Sequence, residues 1–291
     1  MVDNTHQDID AATGTATTGH EWDGIKELNT PLPKWWLYVL YATMIWAVGY
    51  WILYPAIPLP GGRTPGILGW SSRGAVQQDL ADLAAQRAGL VDQLNKATLQ
   101  QIDADPKLAE FARAYGRSAF GNNCAPCHGS GGQGSKGYPN LNADRWLWGG
   151  TLDQIHATIT HGARSGDPDG HEGNMPDFGK SGVLTKDQVT AVASYVVSLS
   201  NPAAAGADVE AGKKIFAENC SPCHGDNAKG NPEVGAPNLT TKIWLYGGDK
   251  QTIVETVTNG RGGHMPAWGG KLDPATIKSL TIFVHSLGGG Q

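Results

Sequence analysis

The stretch CAPCH at residues 124–128 recurs as CSPCH at residues 220–224. Together the two motifs use every cysteine of the chain, namely Cys124, Cys127, Cys220 and Cys223. No cysteine is therefore left over for a disulfide framework. Two thiols separated by two residues can bond both vinyl groups of one porphyrin, and the histidine that follows, His128 or His224, then lies beneath the iron. The motifs predict two covalently bound haem c groups.

Two other readings of these motifs are weaker. A zinc site would draw its ligands from Cys-x-x-Cys-His, but structural zinc takes four N/S ligands in a closed tetrahedron and the merged motifs would supply six. A redox-active dithiol is the second alternative. Neither explains why the same motif occurs at matching positions of a repeat.

The chain repeats itself from about residue 106 onwards. After each motif come, in the same order, a Pro-Asn-Leu segment, a Trp-Leu-aromatic-Gly-Gly segment, an amphipathic stretch, a Met-Pro-x-aromatic-Gly segment and a final amphipathic stretch. Asp-Pro pairs and Thr-x-x-Gln boxes mark helix starts near residues 105, 151, 185 and 273. The repeat predicts a mainly α protein with two tandem all-α domains, residues 106–201 and 207–291.

A six-coordinate haem iron needs a second axial ligand. The Met-Pro segments contain Met175 and Met265, and a thioether sulfur is a soft ligand that raises the haem potential. We expect axial pairs within each repeat, His128 with Met175 and His224 with Met265. The longer loop before Met175 contains His161 and His171, so a bis-histidine first haem stays open.

Aligned residues elsewhere in the repeat are candidates for the haem surround. The carbonyl groups of Pro139 and Pro237 are expected to accept the ring N–H of the proximal histidines. Two arginines close to the methionine segments are candidates for haem propionate partners, and four aligned aromatic residues for packing on the porphyrin. They are Arg164 and Arg261, with Trp148, Tyr246, Phe178 and Trp268.

Residues 35–54, WWLYVLYATMIWAVGYWILY, carry no charge. Twenty residues at helical rise span about 30 Å, and aromatic residues crowd both ends as in a membrane interface. We predict a transmembrane helix over residues 35–55, an N-terminal tail over 1–34 whose first 21 residues are disordered, and a linker with an amphipathic helix over 56–105. In the two repeats no strand is predicted.

The charge distribution argues against a nucleic-acid partner. The net charge is -5, and residues 106–291 carry 16 basic and 16 acidic side chains without a basic stripe. Basic residues flank the apolar segment equally on its two sides, so charge does not set its orientation in the lipid bilayer.

The two repeats resemble class I cytochrome c domains. The stretch WDGIKELNTPLPKWW at residues 22–36, followed by one spanning helix and two haem motifs, resembles the CcoP (FixP) family of cbb3-type cytochrome c oxidase subunits. This resemblance covers nearly the whole chain and carries the family's iron ligands onto His128, Met175, His224 and Met265. It implies electron transfer from a cytochrome c donor, through a monohaem c subunit, toward a haem–copper subunit that reduces oxygen while protons are pumped.

The resemblance also implies the location, a bacterial inner membrane with residues 1–34 cytoplasmic and the haem domains periplasmic. On this view the chain has no catalytic centre of its own, because a methionine occupies the sixth coordination position of each haem iron. The alternatives are a free membrane-tethered dihaem shuttle without a partner oxidase, and a dihaem peroxidase, which would need an iron that opens to substrate.

Overall fold

The computed structural model describes residues 8–143, 146–204 and 208–288. The chain divides between residues 85 and 86 into two units. Helices dominate the described residues, as predicted, and the strands found there belong to two short hairpins.

The N-terminal unit begins with a hairpin, which the sequence interpretation missed. Strands β1 (Thr17–Trp22) and β2 (Ile25–Leu28) pair antiparallel, with Trp22 opposite Ile25. Asp23 and Gly24 between them both have positive φ, 50° and 82°. An Asp-Gly pair is a strong signal for a two-residue hairpin turn. The prediction of a disordered tail was wrong for Thr17 to Glu21, which belong to β1. Residues 1–7 lie outside the described residues.

Helix α1 (Lys34–Leu53) corresponds to the predicted transmembrane segment. It is apolar on every face and none of its side chains is buried; Trp46 is 76% exposed. A core helix of a soluble protein would be buried, whereas this helix has the length and hydropathy to cross a bilayer. The helix fits a single-pass membrane protein.

The linker contains more structure than one amphipathic helix. A second hairpin, β3 (Pro58–Leu59) and β4 (Gly62–Arg63), precedes helix α2 (Ser72–Lys96) and the short helix α3 (Leu99–Ala104). Thr98 forms a capping box with Gln101, which starts a new helix where the sequence pattern suggested a continuous one.

The repeat region is helical, and its helix starts agree with the predicted signals. The Asp105 carboxylate accepts hydrogen bonds from backbone N–H groups in the first turn of α4. Thr151 and Thr185 form capping boxes with Gln154 and Gln188. The helices are α4 (Pro106–Asn123), α5 (Ala125–His128), α6 (Leu152–His161), α7 (Lys186–Ser200), a 3-10 turn (Pro202–Ala204), α8 (Val209–Asn219), α9 (Ser221–His224), α10 (Lys250–Asn259) and α11 (Pro274–His285).

The two repeats exchange their last helices. Helix α4, which opens the first repeat, packs on α11, which closes the second; α7 packs on α8. At each of these two contacts a glycine lets the helices approach closely. An ideal Cβ on Gly116 would lie 2.1 Å from the Ser279 carbonyl oxygen, and one on Gly212 would lie 2.0 Å from the Ala191 carbonyl oxygen, so neither position has room for a side chain.

Three hydrophobic cores of the described residues each contain side chains of both repeats. One joins Val192 and Val196 of α7 to Phe216 of α8, and another joins Phe120 of α4 to Leu280 of α11. The third joins Leu108 of α4 to Ile282 of α11 and includes Leu94 of α2. The structure thus differs from the expectation that residues 106–201 and 207–291 form separate domains. Helices α7 and α8 are consecutive and joined by a short connection, and consecutive elements tend to be neighbours.

The candidate haem sites

Each Cys-x-x-Cys-His motif lies at the junction of two helices. Helix α4 ends at Cys124, and α5 follows with His128 as its last residue; α8, Cys220 and α9 repeat this arrangement. The amide N–H of His128 donates to the Cys124 carbonyl oxygen at 2.9 Å. The amide N–H of His224 donates to the Cys220 carbonyl oxygen, also at 2.9 Å. This single turn brings the thiols and the imidazole of each motif onto one short segment.

Both motif histidines are oriented by a proline carbonyl. Nδ1–H of His128 donates to the Pro139 carbonyl oxygen at 3.0 Å, and Nδ1–H of His224 donates to that of Pro237, also at 3.0 Å. Burial lowers the pKa of both imidazoles, and the hydrogen bond opposes this shift. A neutral ring with Nδ1 engaged offers Nε2 to a metal.

The second motif opens into an apolar cavity of about 510 Å³. Cys220, Cys223 and His224 line it, and so do Met175 and Phe178 of the first repeat. The core around it contains Val192, Phe216, Ile253 and Val257.

The first motif lies against the core that contains Phe120 and Leu280. Cys124 packs there with Met265 and Trp268 of the second repeat, over Ile155 and Ile159 of α6. Both sites therefore combine the cysteines of one repeat with the methionine of the other.

This placement differs from the axial pairs expected from the repeat. The backbone accounts for the difference: Met175 pairs with Arg261 through N–H···O bonds of 2.9 and 3.0 Å, and Met265 pairs with Ala163 through bonds of 2.9 and 3.0 Å. Each methionine segment is thus bonded to the opposite repeat, next to that repeat's own haem motif. Tandem similarity implied pairing within a repeat, but it carries no information about this exchange.

The histidines considered as alternative ligands have other partners. His161 Nδ1 lies 3.1 Å from an Asp167 carboxylate oxygen. His171 stacks on Trp148 with ring centroids 4.2 Å apart, and its Nε2 lies 2.9 Å from Thr158 Oγ1.

The other residues predicted to surround the haems are divided unequally between the two sites. Arg164, Arg261, Trp148, Tyr246 and Phe178 all line the cavity of the second motif, although Arg164, Trp148 and Phe178 belong to the first repeat. Trp268 lies at the first site. The exchange of segments explains why residues of the first repeat collect around the second motif.

The residues at both sites fit a porphyrin. Three buried side-chain donors have no hydrogen-bond partner within the described residues: Ser279 Oγ of α11, Trp146 Nε1 at the core beside Cys124, and Arg261 Nη2 in the cavity of the second motif. Arg261 Nη2 lies 3.3 Å from Glu255 Oε1 without hydrogen-bond geometry. The Trp146 and Arg261 donors, one at each haem site, are suited to propionate oxygens. Trp146 was missed earlier, although its alignment with Trp244 was available as a signal.

Zinc and dithiol chemistry fit less well. In the part of the chain that the structure describes, the His/Cys/Asp/Glu group with ligand atoms within 4.8 Å of one another is His161, Asp167 and Asp169, which includes neither motif. Burial raises the pKa of the Cys124 and Cys220 thiols to about 11. Redox-active cysteines have the opposite shift.

Comparison with known protein families matches three segments of the chain. Residues 14–60 match the family described as the N-terminal domain of cytochrome oxidase-cbb3, FixP; residues 113–200 match cytochrome c; and residues 207–284 match cytochrome c oxidase, cbb3-type, subunit III.

Full-length relatives agree. The chain is 59% identical to the cbb3-type cytochrome c oxidase subunit FixP of Azorhizobium caulinodans, over 98% of this chain and 97% of that protein. It is 58% identical to FixP of Bradyrhizobium sp. (98% and 99% covered) and 52% identical to subunit CcoP of Azospirillum sp. (97% and 98% covered). The chain therefore belongs to the FixP/CcoP family of cbb3-type cytochrome c oxidase subunits, whose cytochrome c domains carry electrons.

Proposed function

We propose that the chain holds two haem c groups whose axial ligands are exchanged between the repeats, His128 with Met265 and His224 with Met175. The observation that carries this proposal is the pair of antiparallel backbone contacts, Met175 with Arg261 and Met265 with Ala163. Each contact holds a methionine next to the opposite motif. When bound, haem c supplies a reversible one-electron Fe(III)/Fe(II) couple.

The protein residues around each site suit electron transfer rather than substrate chemistry. The Pro139 and Pro237 carbonyls fix the imidazoles, and apolar side chains such as Phe178 and Trp268 exclude water. A thioether ligand and an apolar surround both favour the reduced, less charged iron and raise its potential.

The partners we propose are the other subunits of a cbb3-type oxidase. Electrons from a cytochrome c donor pass through this chain to a monohaem c subunit and on to the haem–copper subunit, where oxygen is reduced. Helix α1 spans the inner membrane with the tail of residues 1–34 in the cytoplasm and both haem sites in the periplasm. Extracytoplasmic attachment of haem to Cys-x-x-Cys-His supports this orientation.

Purification in a mild detergent tests this function. A tagged full-length chain is expected to co-isolate with haem-b-containing subunits and to support oxygen uptake from reduced cytochrome c. The chain stripped of its partners keeps redox-active haem and reduces no oxygen, because methionine occupies each sixth position.

Two results would contradict this function. A chain that isolates alone yet still exchanges electrons with a donor is a free shuttle. Peroxide turnover, or rapid carbon monoxide binding by the reduced isolated chain, indicates an iron that opens to substrate and favours a peroxidase.

A further inference from the structure

One side chain bridges the two segments that carry the methionines. We call residues 172–178 the first methionine loop and residues 262–268 the second. The Arg164 Nε–H donates to the Gly263 carbonyl of the second loop, and its Nη1–H donates to the Gly173 carbonyl of the first. Each of these carbonyls lies two residues before a methionine.

The backbone of Arg164 is fixed just as closely. Its N–H donates to the His171 carbonyl at 2.6 Å, and its own carbonyl accepts Nδ1–H of His264 at 2.8 Å. Its φ of 52° lies in the left-handed region, which L residues other than glycine rarely adopt. Such a conformation persists where surrounding contacts over-determine it.

The guanidinium also lies against an aromatic stack. Its carbon is 5.9 Å from the centroid of the Trp148 ring, and Trp148 stacks on His171 with an interplanar angle of 5°. Planar guanidinium suits this position, because it combines ring stacking with a rigid fork of donors that a lysine ammonium lacks.

Arg261, its partner in the sequence alignment, makes different contacts. Its Nε–H donates to Thr256 Oγ1 at 3.0 Å, and its guanidinium carbon lies 4.4 Å from the Tyr246 ring centroid. These contacts stay within the second repeat, so the guanidinium that joins both loops belongs to Arg164.

We propose that Arg164 is a positioning residue that couples the two methionine loops, so that both methionine–iron bonds depend on this one side chain. The inference rests on the proposed function, since it needs methionine at both sixth positions. Charge-assisted hydrogen bonds to two carbonyls hold the loops closed. Without them each loop swings away from its haem site more readily, and both sites become easier to open.

Imidazole competition on the full-length, haem-loaded ferric protein measures this opening. The probe displaces methionine, and loss of the near-infrared iron–sulfur charge-transfer band reports the displacement. The variants Met175→Ala and Met265→Ala assign the two steps of the titration. In Arg164→Gln we expect half-displacement at about tenfold less imidazole for both steps, the effect of losing a charge-assisted bond at each loop.

Two further variants complete the design. Arg117→Gln removes an exposed arginine from α4 and is expected to titrate like the unchanged protein. Arg164→Lys keeps the charge but not the fork, so it is expected to retain the unchanged behaviour at no more than one site. If Arg164→Gln fails to accumulate with haem, Arg164→Lys takes its place as the test variant.

The coupling is overturned if only one step shifts in Arg164→Gln, if neither shifts, or if Arg164→Lys behaves like the unchanged protein at both sites. Failure of the proposed function gives a different signature. In that case the unchanged protein lacks the charge-transfer band at one or both haems before any arginine is replaced.

Discussion

In a chain whose Cys124 and Cys127 are both alanine, so that only the second motif attaches haem, Met175→Ala is expected to abolish the iron–sulfur charge-transfer band completely. Met265→Ala is expected to leave that band in place. The reason is geometric: Met175 lines the cavity of Cys220 and His224, whereas Met265 packs in the core beside Cys124. Near-infrared magnetic circular dichroism of the oxidised protein measures the band.

The reciprocal chain provides the matched control. With Cys220 and Cys223 replaced by alanine, only the first haem is attached, and the two methionine variants should exchange their effects. The exchange is contradicted if the band is lost when alanine replaces the methionine that belongs to the same repeat as the remaining haem. A histidine-type spectrum before any methionine is replaced would favour a bis-histidine site.

Replacement of Gly116 or Gly212 by alanine is expected to lower the free energy of unfolding by about 1–3 kcal/mol, as overpacking of a close contact does. Each added Cβ would meet a backbone carbonyl of the opposite helix, at 2.1 Å from Ser279 O or 2.0 Å from Ala191 O. Backbone cannot rotate away as a side chain does, so α11 or α7 must shift. Thermal unfolding followed by circular dichroism measures the loss, at roughly 2–4 °C per kcal/mol.

Gly121 of α4 is the control for this experiment. A Cβ at Gly121 meets no heavy atom within 4 Å, so alanine there is expected to be neutral or to stabilise the helix by about 0.5–1 kcal/mol. Gly116→Ala should also make Met265 easier to displace than Met175, and Gly212→Ala the reverse. Equal stability of Gly116→Ala and Gly121→Ala would refute the α4–α11 crossing.

Much of each site could be predicted from local sequence. The Cys-x-x-Cys-His turn and the capping boxes depend on residues within a few positions of one another. The proline carbonyls lie 11 and 13 residues from their histidines, and the repeat alignment found both. Such contacts follow from short-range geometry, which a sequence pattern carries directly.

The exchange of segments could not be predicted in the same way. Both repeats contain the same blocks in the same order, so each methionine fits either histidine equally well by sequence. Packing decides between them, through the α7–α8 and α4–α11 contacts and the backbone pairing of Met175 and Met265. The roles of Arg164 and Arg261 were hidden for the same reason, because alignment made them equivalent.

The N-terminal hairpin is a different kind of omission. The Asp23-Gly24 turn signal lies just beyond residues 1–21, whose polar composition without apolar periodicity had predicted a disordered tail. A two-residue turn with positive φ at both positions is a local feature and was within reach of the sequence.

The central claim is that each cysteine pair binds one porphyrin through two thioether bonds. An alkaline pyridine haemochrome assay on the purified full-length chain, from cells able to mature cytochromes c, tests it most directly. The predicted result is two haem c groups per polypeptide, both with the spectrum of a doubly linked porphyrin. One haem or none per polypeptide, or the spectrum of an unattached haem, would contradict it.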